Sequence, residues 1–475
     1  MTSHPADTGS FDTYLVGGAV RDALLGLEDS DRDWVVVGAT PDAMRKAGFT
    51  PVGKDFPVFL HPDTKEEYAL ARTERKSGTG YKGFTVYAAP DVSLKEDLQR
   101  RDLTINAIAQ DADGNLVDPW GGINDLQNRV LRHVSPAFAE DPLRVLRIAR
   151  FAARFADRGF SIASETQALI QTMSASGELE DLVAERVWRE IAKALQTDHA
   201  QVFIEVLRDC GALATLLPEV DRLFGVPQPA QWHPEIDTGI HTLMSLRQAC
   251  RLSSDLAVRF ATLLHDVGKG LTPSKDWPQH IAHEHKGVQL IAGICQRLRV
   301  PIECADLARL SSQYHTHCHQ MRVLKPATVL KTLEGLDAFR RPQRLQKFLL
   351  VCEADARGRT GLEDQPYPQA DLLWQCFAAA EAVDVPTLLQ QKPVAPGPEA
   401  GGKIRDMLYQ ARLSRIKQTL YSLRADYSLR ADYSLRTDYS LRADYSLSAD
   451  YSLKADHSLK ADATPGTDDK FRTDP

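Results

Sequence analysis

The sequence contains no run of about 18 apolar residues, the length a helix needs to cross a bilayer, so no spanning segment and no membrane partner is expected. Its first residues, MTSHPADTGSFDTY, lack the basic start and apolar centre of a secretory signal. Cysteine is sparse: there are 7 in 475 residues, all between Cys210 and Cys376, with no C-x-x-C pair. This argues against a disulfide framework and a thiolate zinc site, and fits a reducing cytoplasm. An excess of one charge is missing too. Lys and Arg number 57 against 64 Asp and Glu, a formal net charge of -7, so there is no basic coat for nucleic acid. A partner nevertheless feels a local basic face more than the sum. What remains is an ordinary globular balance, 43% apolar and 25% charged, over a length that accommodates several domains.

The patterning changes twice along the chain. Between Tyr14 and Val134 the β-type segments YLVGG, WVVVG, PVFLH, EEYALA and FTVYAA alternate with polar or helix-like stretches, predicting a mixed sheet flanked by helices. From Glu140 to Leu420 apolar residues recur at three and four spacing, as in PLRVLRIARFAARF and AERVWREIAKAL, predicting an all-α remainder. The fold class is therefore α+β. From Tyr421 to Asp462 run seven hexamers of the YSLRAD type. A period of six matches neither an α-helix nor a heptad, so residues 421–475 are expected to form a solvated, disordered low-complexity tail; a β-solenoid would lack its usual turn glycines.

Chemistry concentrates in LVGGAVRDALLGLEDSDRDWVVVG, residues 15 to 38. A strand ending at Val16, two glycines, and a helix opening at AVRD would bring backbone amides and a positive helix end toward phosphate. Gly18 and Arg21 are the candidate phosphate contacts, Arg21 as a forked donor. Asp31 and Asp33 share one face of an extended chain while Arg32 points the other way. Two such carboxylates suit Mg²⁺, which keeps part of its shell for water and substrate phosphates.

LVGGAVRD followed by DRD resembles the nucleotidyltransferase head of the DNA polymerase β superfamily, in its bacterial class II tRNA nucleotidyltransferase and poly(A) polymerase branch. RRDLTINAIA, residues 100 to 109, resembles the family's ribose-facing motif; the resemblance implies that Arg101 contacts nucleotide phosphates and that Asp102 helps select ribose. ARTERKSGTGYKGF, residues 71 to 84, resembles the flexible loop beside the active site. EDPLRVLRIAR, residues 140 to 150, resembles the motif that replaces a template. Read on its own, this stretch puts Arg144, Arg147, Arg150 and Arg154 on one helical face, opposite Leu143, Leu146 and Phe151. The resemblance implies that Asp141 and Arg144 pair with the Watson–Crick edge of CTP or ATP, and that Arg147 and Arg150 help bind the nucleotide. The poly(A) branch carries a basic G-R-R-F-type segment where this chain has VGKDFPVFLHP, residues 52 to 62, which resembles the CCA-adding branch.

In FATLLHDVGKG, residues 260 to 270, His265 and Asp266 are adjacent, with His241 upstream and His283 downstream, a donor set for a transition metal. The pattern resembles an HD-type phosphohydrolase domain, as found behind the nucleotidyltransferase head in multifunctional CCA proteins. The resemblance implies phosphatase, 2′-nucleotidase and 2′,3′-cyclic phosphodiesterase activities supported by Ni²⁺ or another transition metal. In YHTHCH, residues 314 to 319, Thr316 stands where relatives carry Asp, and Asp355 is a candidate substitute carboxylate.

The expected organisation is a head over 13–139, a nucleotide-reading and RNA-binding neck and body over 140–235, an HD domain over 236–340, a helical domain over 341–420, and the repeats. The implied function is template-independent addition of CCA to the 3′ end of tRNA from CTP and ATP. A poly(A) polymerase, a protein uridylyltransferase and a non-catalytic tRNA-binding protein stay open as alternatives, as does monomer against dimer.

Overall fold

The computed structural model describes residues 11–27, 31–52, 58–76 and 84–430. Parts of the segments at 52–62 and 71–84, and the repeats beyond residue 430, lie outside the described residues.

The head is built on β1 (Asp12–Val16), β2 (Asp33–Val37), β3 (Thr50–Val52), β4 (Val58–Leu60) and β5 (Glu67–Leu70), then a hairpin of β6 (Thr73–Lys76) and β7 (Phe84–Tyr87), then β8 (Ala109–Gln110) and β9 (Leu116–Val117). The main sheet runs β3-β4-β5-β2-β1-β8-β9. Within it β2 and β5 are parallel and the other neighbours antiparallel, so the mixed sheet expected from the sequence is what forms.

The run WVVV is apolar without alternation because both faces of β2 are covered. Trp34 and Val36 pack with Phe49, Phe59 and Tyr68 on one side, and Val35 packs with Val16, Leu98 and Ala107 on the other. Only the mouth of the strand, at Asp33, is open. Behind the sheet, Gly122 opens the Gly122–Asn128 helix, where a Cβ would overlap the carbonyl of Thr104 and lie 2.8 Å from Ile108 Cγ1. A backbone oxygen cannot swing aside. Gly122→Ala is therefore expected to destabilise the protein by at least about 2 kcal/mol, read as a lower midpoint of urea unfolding.

Among the described residues from Leu143 to Arg430 the chain is helical apart from connecting turns, an isolated bridge between Pro227 and Asp237, and β11 (Ser161–Ile162), which pairs in parallel with β10 (Val130–Leu131). The all-α expectation is corrected there, because Ser161 and Ala163 donate to the carbonyls of Arg129 and Leu131, satisfying the backbone at the end of the head. The Leu143–Arg154 helix packs on the Ala184–Leu195 and Ala200–Asp209 helices. Farther along, the Thr238–Leu252, Leu256–Leu264, His283–Leu298, Ile302–His319 and Pro342–Arg357 helices pack together around a polar pocket. One apolar core runs from Val20, Leu103 and Ile105 of the head into Leu146, Phe151 and the helical half.

The last described helix, Ala400–Arg430, packs on the Pro326–Gly335 and Pro368–Glu381 helices and continues through the first hexamer. This corrects the tail boundary at 421. Ile416 and Leu420 are buried and Leu423 packs on the core, so residues 421–430 extend an anchored helix instead of nucleating one. Among the described residues no single helix is long and apolar enough to cross a membrane.

Candidate active sites

Register builds the first site. Asp33 pairs with Val16 across β1 and with Glu67 across parallel β5, so the glycine turn after Val16 and two carboxylates are neighbours in the sheet. Gly17 has φ +70°, and a Cβ there would lie 2.8 Å from Arg101 Nη1. The missing side chain is thus space for a guanidinium. Arg101 also reaches the carboxylate of Asp97 at 3.4 Å and the carbonyl of Asn106 at 3.5 Å. Arg32 turns away as alternation requires, 3.5 Å from Glu66 and over the Trp34 ring.

Desolvation lifts the Asp33 carboxyl above its ordinary range; Arg101 opposes this, while Glu67 and Asp31 add repulsion. An all-oxygen donor set in which carboxylates repel one another fits a hard divalent cation such as Mg²⁺. Asp31 and Asp33 are both solvent-exposed at this mouth. Glu67 was not singled out from the sequence; its signal lies in the parallel pairing of EEYALA with DRDWVVV, which a single sequence does not display.

Arg21 is buried against the start of the neck. It is 3% exposed, its guanidinium lies 2.7 Å from Asp22 and donates to Asn106 at 2.5 Å, and it sits over the rings of Phe151 and Phe155. The buried face of the Gly18–Leu24 helix includes Arg21, so its fork anchors the helix to the neck. Gly18 lies beside that guanidinium, and a Cβ there would stand 3.6 Å from Arg21 Nη2.

The arginine ladder is bonded at every rung. Arg144 donates to the carbonyls of Ala137 at 2.9 Å and Arg100 at 2.5 Å. Arg147 donates to Asp102 at 2.8 and 2.6 Å, Arg150 to Glu190 at 2.6 Å, and Arg154 to Asp22 at 3.0 Å. Arg144, Arg147 and Arg154 therefore tie the neck to the head, while Arg150 is bonded within the neck. Arg150 is buried on Glu190.

Asp102 also accepts from Asn106 and from the amide of Leu103. Burial alone would raise its pKa, but Arg147, Asn106 and Arg144 hold the carboxyl far below the ordinary range. It ties ladder to head. The Asp141 carboxylate accepts from the Leu143 amide at 3.1 Å and from Arg186 at 3.0 Å, and its carbonyl accepts from the Arg144 amide at 3.0 Å. Arg186 and Glu190 were not foreseen; they come from AERVWREIAKAL, whose periodicity shows a helix but not its partner.

The second site lies among the later helices. His265 caps the Leu256–Leu264 helix and Asp266 follows it; His241, His283, His315, His319 and Asp355 arrive from four other helices. The four residues expected from the sequence, His241, His265, Asp266 and His283, are brought together, and Asp355 joins them. His241 Nε2 is 3.1 Å from Asp355 Oδ1, and His265 Nε2 is 3.3 Å from Asp266 and 3.6 Å from Asp355. His315 and His319 were missed as members; their signal was the four-residue spacing in YHTHCH, which puts both on one helical face. Thr316 donates to Glu284 at 3.1 Å and does not join the cluster.

Burial would lower His265, but Asp266 and Asp355 push it up to about 9. His265 Nε2 and Asp266 Oδ1 are buried with no hydrogen-bond partner among the described atoms. Orphaned imidazole and carboxylate atoms facing one pocket fit a transition-metal cation. Glu235 Oε1, 3.0 Å from His241 Nδ1, supports that ring from behind.

Comparison with known proteins agrees with this layout. Residues 13–132 match the poly A polymerase head domain, 159–224 the probable RNA and SrmB-binding site of polymerase A, and 238–347 the HD domain. Three similar solved structures are CCA-adding enzymes. The Bacillus stearothermophilus enzyme in complex with CTP is 22% identical, covering 89% of this chain and 95% of that one, with TM-score 0.58. The Thermotoga maritima enzyme complexed with tRNA is 18% identical over 88% and 93%, with TM-score 0.57. A CCA-adding enzyme with ATP is 19% identical over 91% of each chain, with TM-score 0.58. At these identities the likeness is one of fold, whereas the three domain matches follow one another along the chain in the order in which the two sites were found. The protein belongs to the nucleotidyltransferases built on the poly A polymerase head domain, with an RNA-binding region and an HD domain behind it.

Proposed function

We propose that this protein adds CCA to the 3′ end of tRNA from CTP and ATP without a template. The observation that carries this reading is the juxtaposition of Asp31, Asp33 and Glu67 with Arg101 at the Gly17–Gly18 turn, in a head tied by Asp102–Arg147 to the helix that begins beside Asp141. The tRNA 3′ hydroxyl attacks the α-phosphorus of the nucleotide and pyrophosphate leaves. Asp31, Asp33 and Glu67 would hold Mg²⁺, which supplies positive charge for the reacting oxygens when bound. Arg101 donates to the phosphates, and Asp141 and Arg144 offer an acceptor and donors to the base edge. Arg147 and Arg150, through Asp102 and Glu190, keep that reader in place. Arg21 and Gly18 hold the turn.

The direct test is a tRNA trimmed to the base before CCA, incubated with Mg²⁺ and CTP, ATP or both. Two residues with CTP and three with both are expected. A long ladder with ATP alone would instead make the protein a poly(A) polymerase, and binding without extension a tRNA-binding protein. The helical half grips the acceptor arm through phosphates, so affinity for tRNA should fall with salt. With about five phosphates neutralised, the loss between about 50 and 200 mM salt is roughly 10²- to 10³-fold, measured by filter binding.

A second activity is favoured by the His and Asp pocket: hydrolysis of phosphate esters at RNA ends, as phosphatase, 2′-nucleotidase or 2′,3′-cyclic phosphodiesterase, with Ni²⁺ or another transition metal held by His241, His265, Asp266 and Asp355. We assign the head to 13–139, the neck and body to 140–235, the HD domain to 236–340 together with the Pro342–Arg357 helix that brings Asp355, and the following helical domain to the residues from there through Arg430. The seven free cysteines suit the reducing cytoplasm in which tRNA is matured.

A further inference from the structure

Asp97 is a carboxylate of the head with no exposed surface, set on the Leu94–Gln99 helix beside the equally buried Leu98. That helix is fixed where it begins. Ser93 Oγ accepts from the Glu96 amide at 3.3 Å and the Glu96 carboxylate accepts from the Ser93 amide at 2.9 Å, a reciprocal cap. A charge so placed carries a desolvation cost that only donors can offset. Burial alone would raise the Asp97 carboxyl, but Arg100 and Arg101 hold it below its ordinary range.

Its two oxygens are used unequally. Oδ1 accepts from Arg100 Nε at 3.0 Å, from Arg100 Nη2 at 2.8 Å and from the backbone amide of Arg72 at 3.2 Å. Oδ2 faces Arg101 Nη2 at 3.4 Å. Three shorter bonds thus fix the carboxylate, and the longer contact steers a guanidinium. Arg101 has little else to hold it. Its Nη1 is 3.5 Å from the Asn106 carbonyl, and its Nε is buried with no hydrogen-bond partner among the described atoms. Among the described residues Asp97 is the one carboxylate within ion-pair distance of it. Another resting place is close by. Asp33, Glu67 and Asp31 repel one another at the strand mouth, and the Arg101 charge already acts on Asp33. A guanidinium free to choose would fold onto those carboxylates and compete with the cation they would hold.

We propose that Asp97 is a positioning residue of the site in the head: its carboxylate keeps the Arg101 guanidinium in the notch left by Gly17 and off Asp33, so that the fork meets nucleotide phosphates. The role of Arg101 itself rests on the nucleotidyl-transfer reading above. Arg100 and the Arg72 amide serve by fixing Asp97. The sequence trace of the arrangement is EDLQRR, in which Asp97 precedes Arg100 and Arg101 by three and four residues.

The test is a double-mutant cycle on the full chain, with Asp97→Asn, Arg101→Ala and the two together, and circular dichroism as the check on folding. Competition experiments with Mg²⁺ and without tRNA give the dissociation constants of CTP and of cytidine. Asp97→Asn should weaken CTP about 10- to 100-fold and leave cytidine within about twofold, because Arg101 meets only the phosphates. The double variant should bind CTP no more weakly than Arg101→Ala alone, since Asp97 acts through Arg101. Losses that multiply, CTP and cytidine weakened alike, or an unchanged CTP affinity each overturn the proposal. Should Asp97→Asn fail to fold, Asp97→Glu, which keeps the charge but displaces it by one methylene, is held to the same selective loss. Addition of nucleotides to trimmed tRNA by the parent chain is scored separately. A parent that adds nucleotides but gives a multiplicative cycle keeps the reading and sinks the role of Asp97. A non-additive cycle in a parent that adds nothing keeps that role and sinks the reading, and a parent that binds CTP no better than cytidine overturns both.

Discussion

Asp33→Ala is expected to lower nucleotide addition to trimmed tRNA by at least about 10³-fold, some 4 kcal/mol of transition-state stabilisation, while leaving the fold intact. Asp33 heads a strand whose following residues are buried on both faces, so the side chain contributes charge at the open mouth and little packing. Its carboxyl is raised by desolvation and by Glu67 and Asp31, which means that the protein spends stability to crowd these groups. Removing one relieves repulsion, so the melting temperature of the variant should hold or rise slightly as activity collapses. Addition at more than a tenth of the wild-type rate would remove Asp33 from the cation site.

Asp266→Asn is expected to abolish phosphate-ester hydrolysis, by about 10³-fold or more, and to release the pocket's cation, while CCA addition by the same preparation stays within about twofold. The two sites share no residue, which is why one substitution separates them. Stability should also suffer. Lys269 is 7% exposed and is bonded to Asp266, so an amide there leaves a buried ammonium with its charge unpaired, at about 3 kcal/mol. Retained hydrolysis with Ni²⁺ added would exclude Asp266 from the metal set.

The sequence disclosed residue types and order far better than it disclosed direction. DRD and the glycine turn could be joined because they are 13 positions apart on adjacent elements, Gly18 to Asp31, and the expectation that Arg32 faces the other way follows from strand geometry alone. Glu67 could not, since it enters through a parallel pairing with no local trace. The arginine ladder was legible as a face but not by its partners: helical periodicity gives the angle of Arg147 and Arg150 but not Asp102 and Glu190 waiting across 45 and 40 residues. The same limit applies to Arg21, whose guanidinium is typical of a phosphate ligand and here anchors a helix. In the HD pocket the adjacent His265 and Asp266 announced themselves, whereas His315 and His319 were hidden in a histidine-rich string where Thr316 drew the eye. Repeats with a period of six offer no stripe, yet the first hexamer is helical because Ile416 and Leu420 already hold the preceding turns down.

The apolar core that passes from Val20, Leu103 and Ile105 into Leu146 and Phe151 has a consequence for how this protein can be divided. By chemistry the chain is modular, with one reaction centre in the sheet and another among the later helices. By folding it is not. A head severed after residue 139 would present bare hydrocarbon where the Leu143–Arg154 helix belongs, together with Asp22 and Asp102 stripped of Arg154 and Arg147. Grafting this catalytic head onto another RNA-binding body thus means carrying that helix along, since the piece that can be transplanted is longer than the piece that reacts.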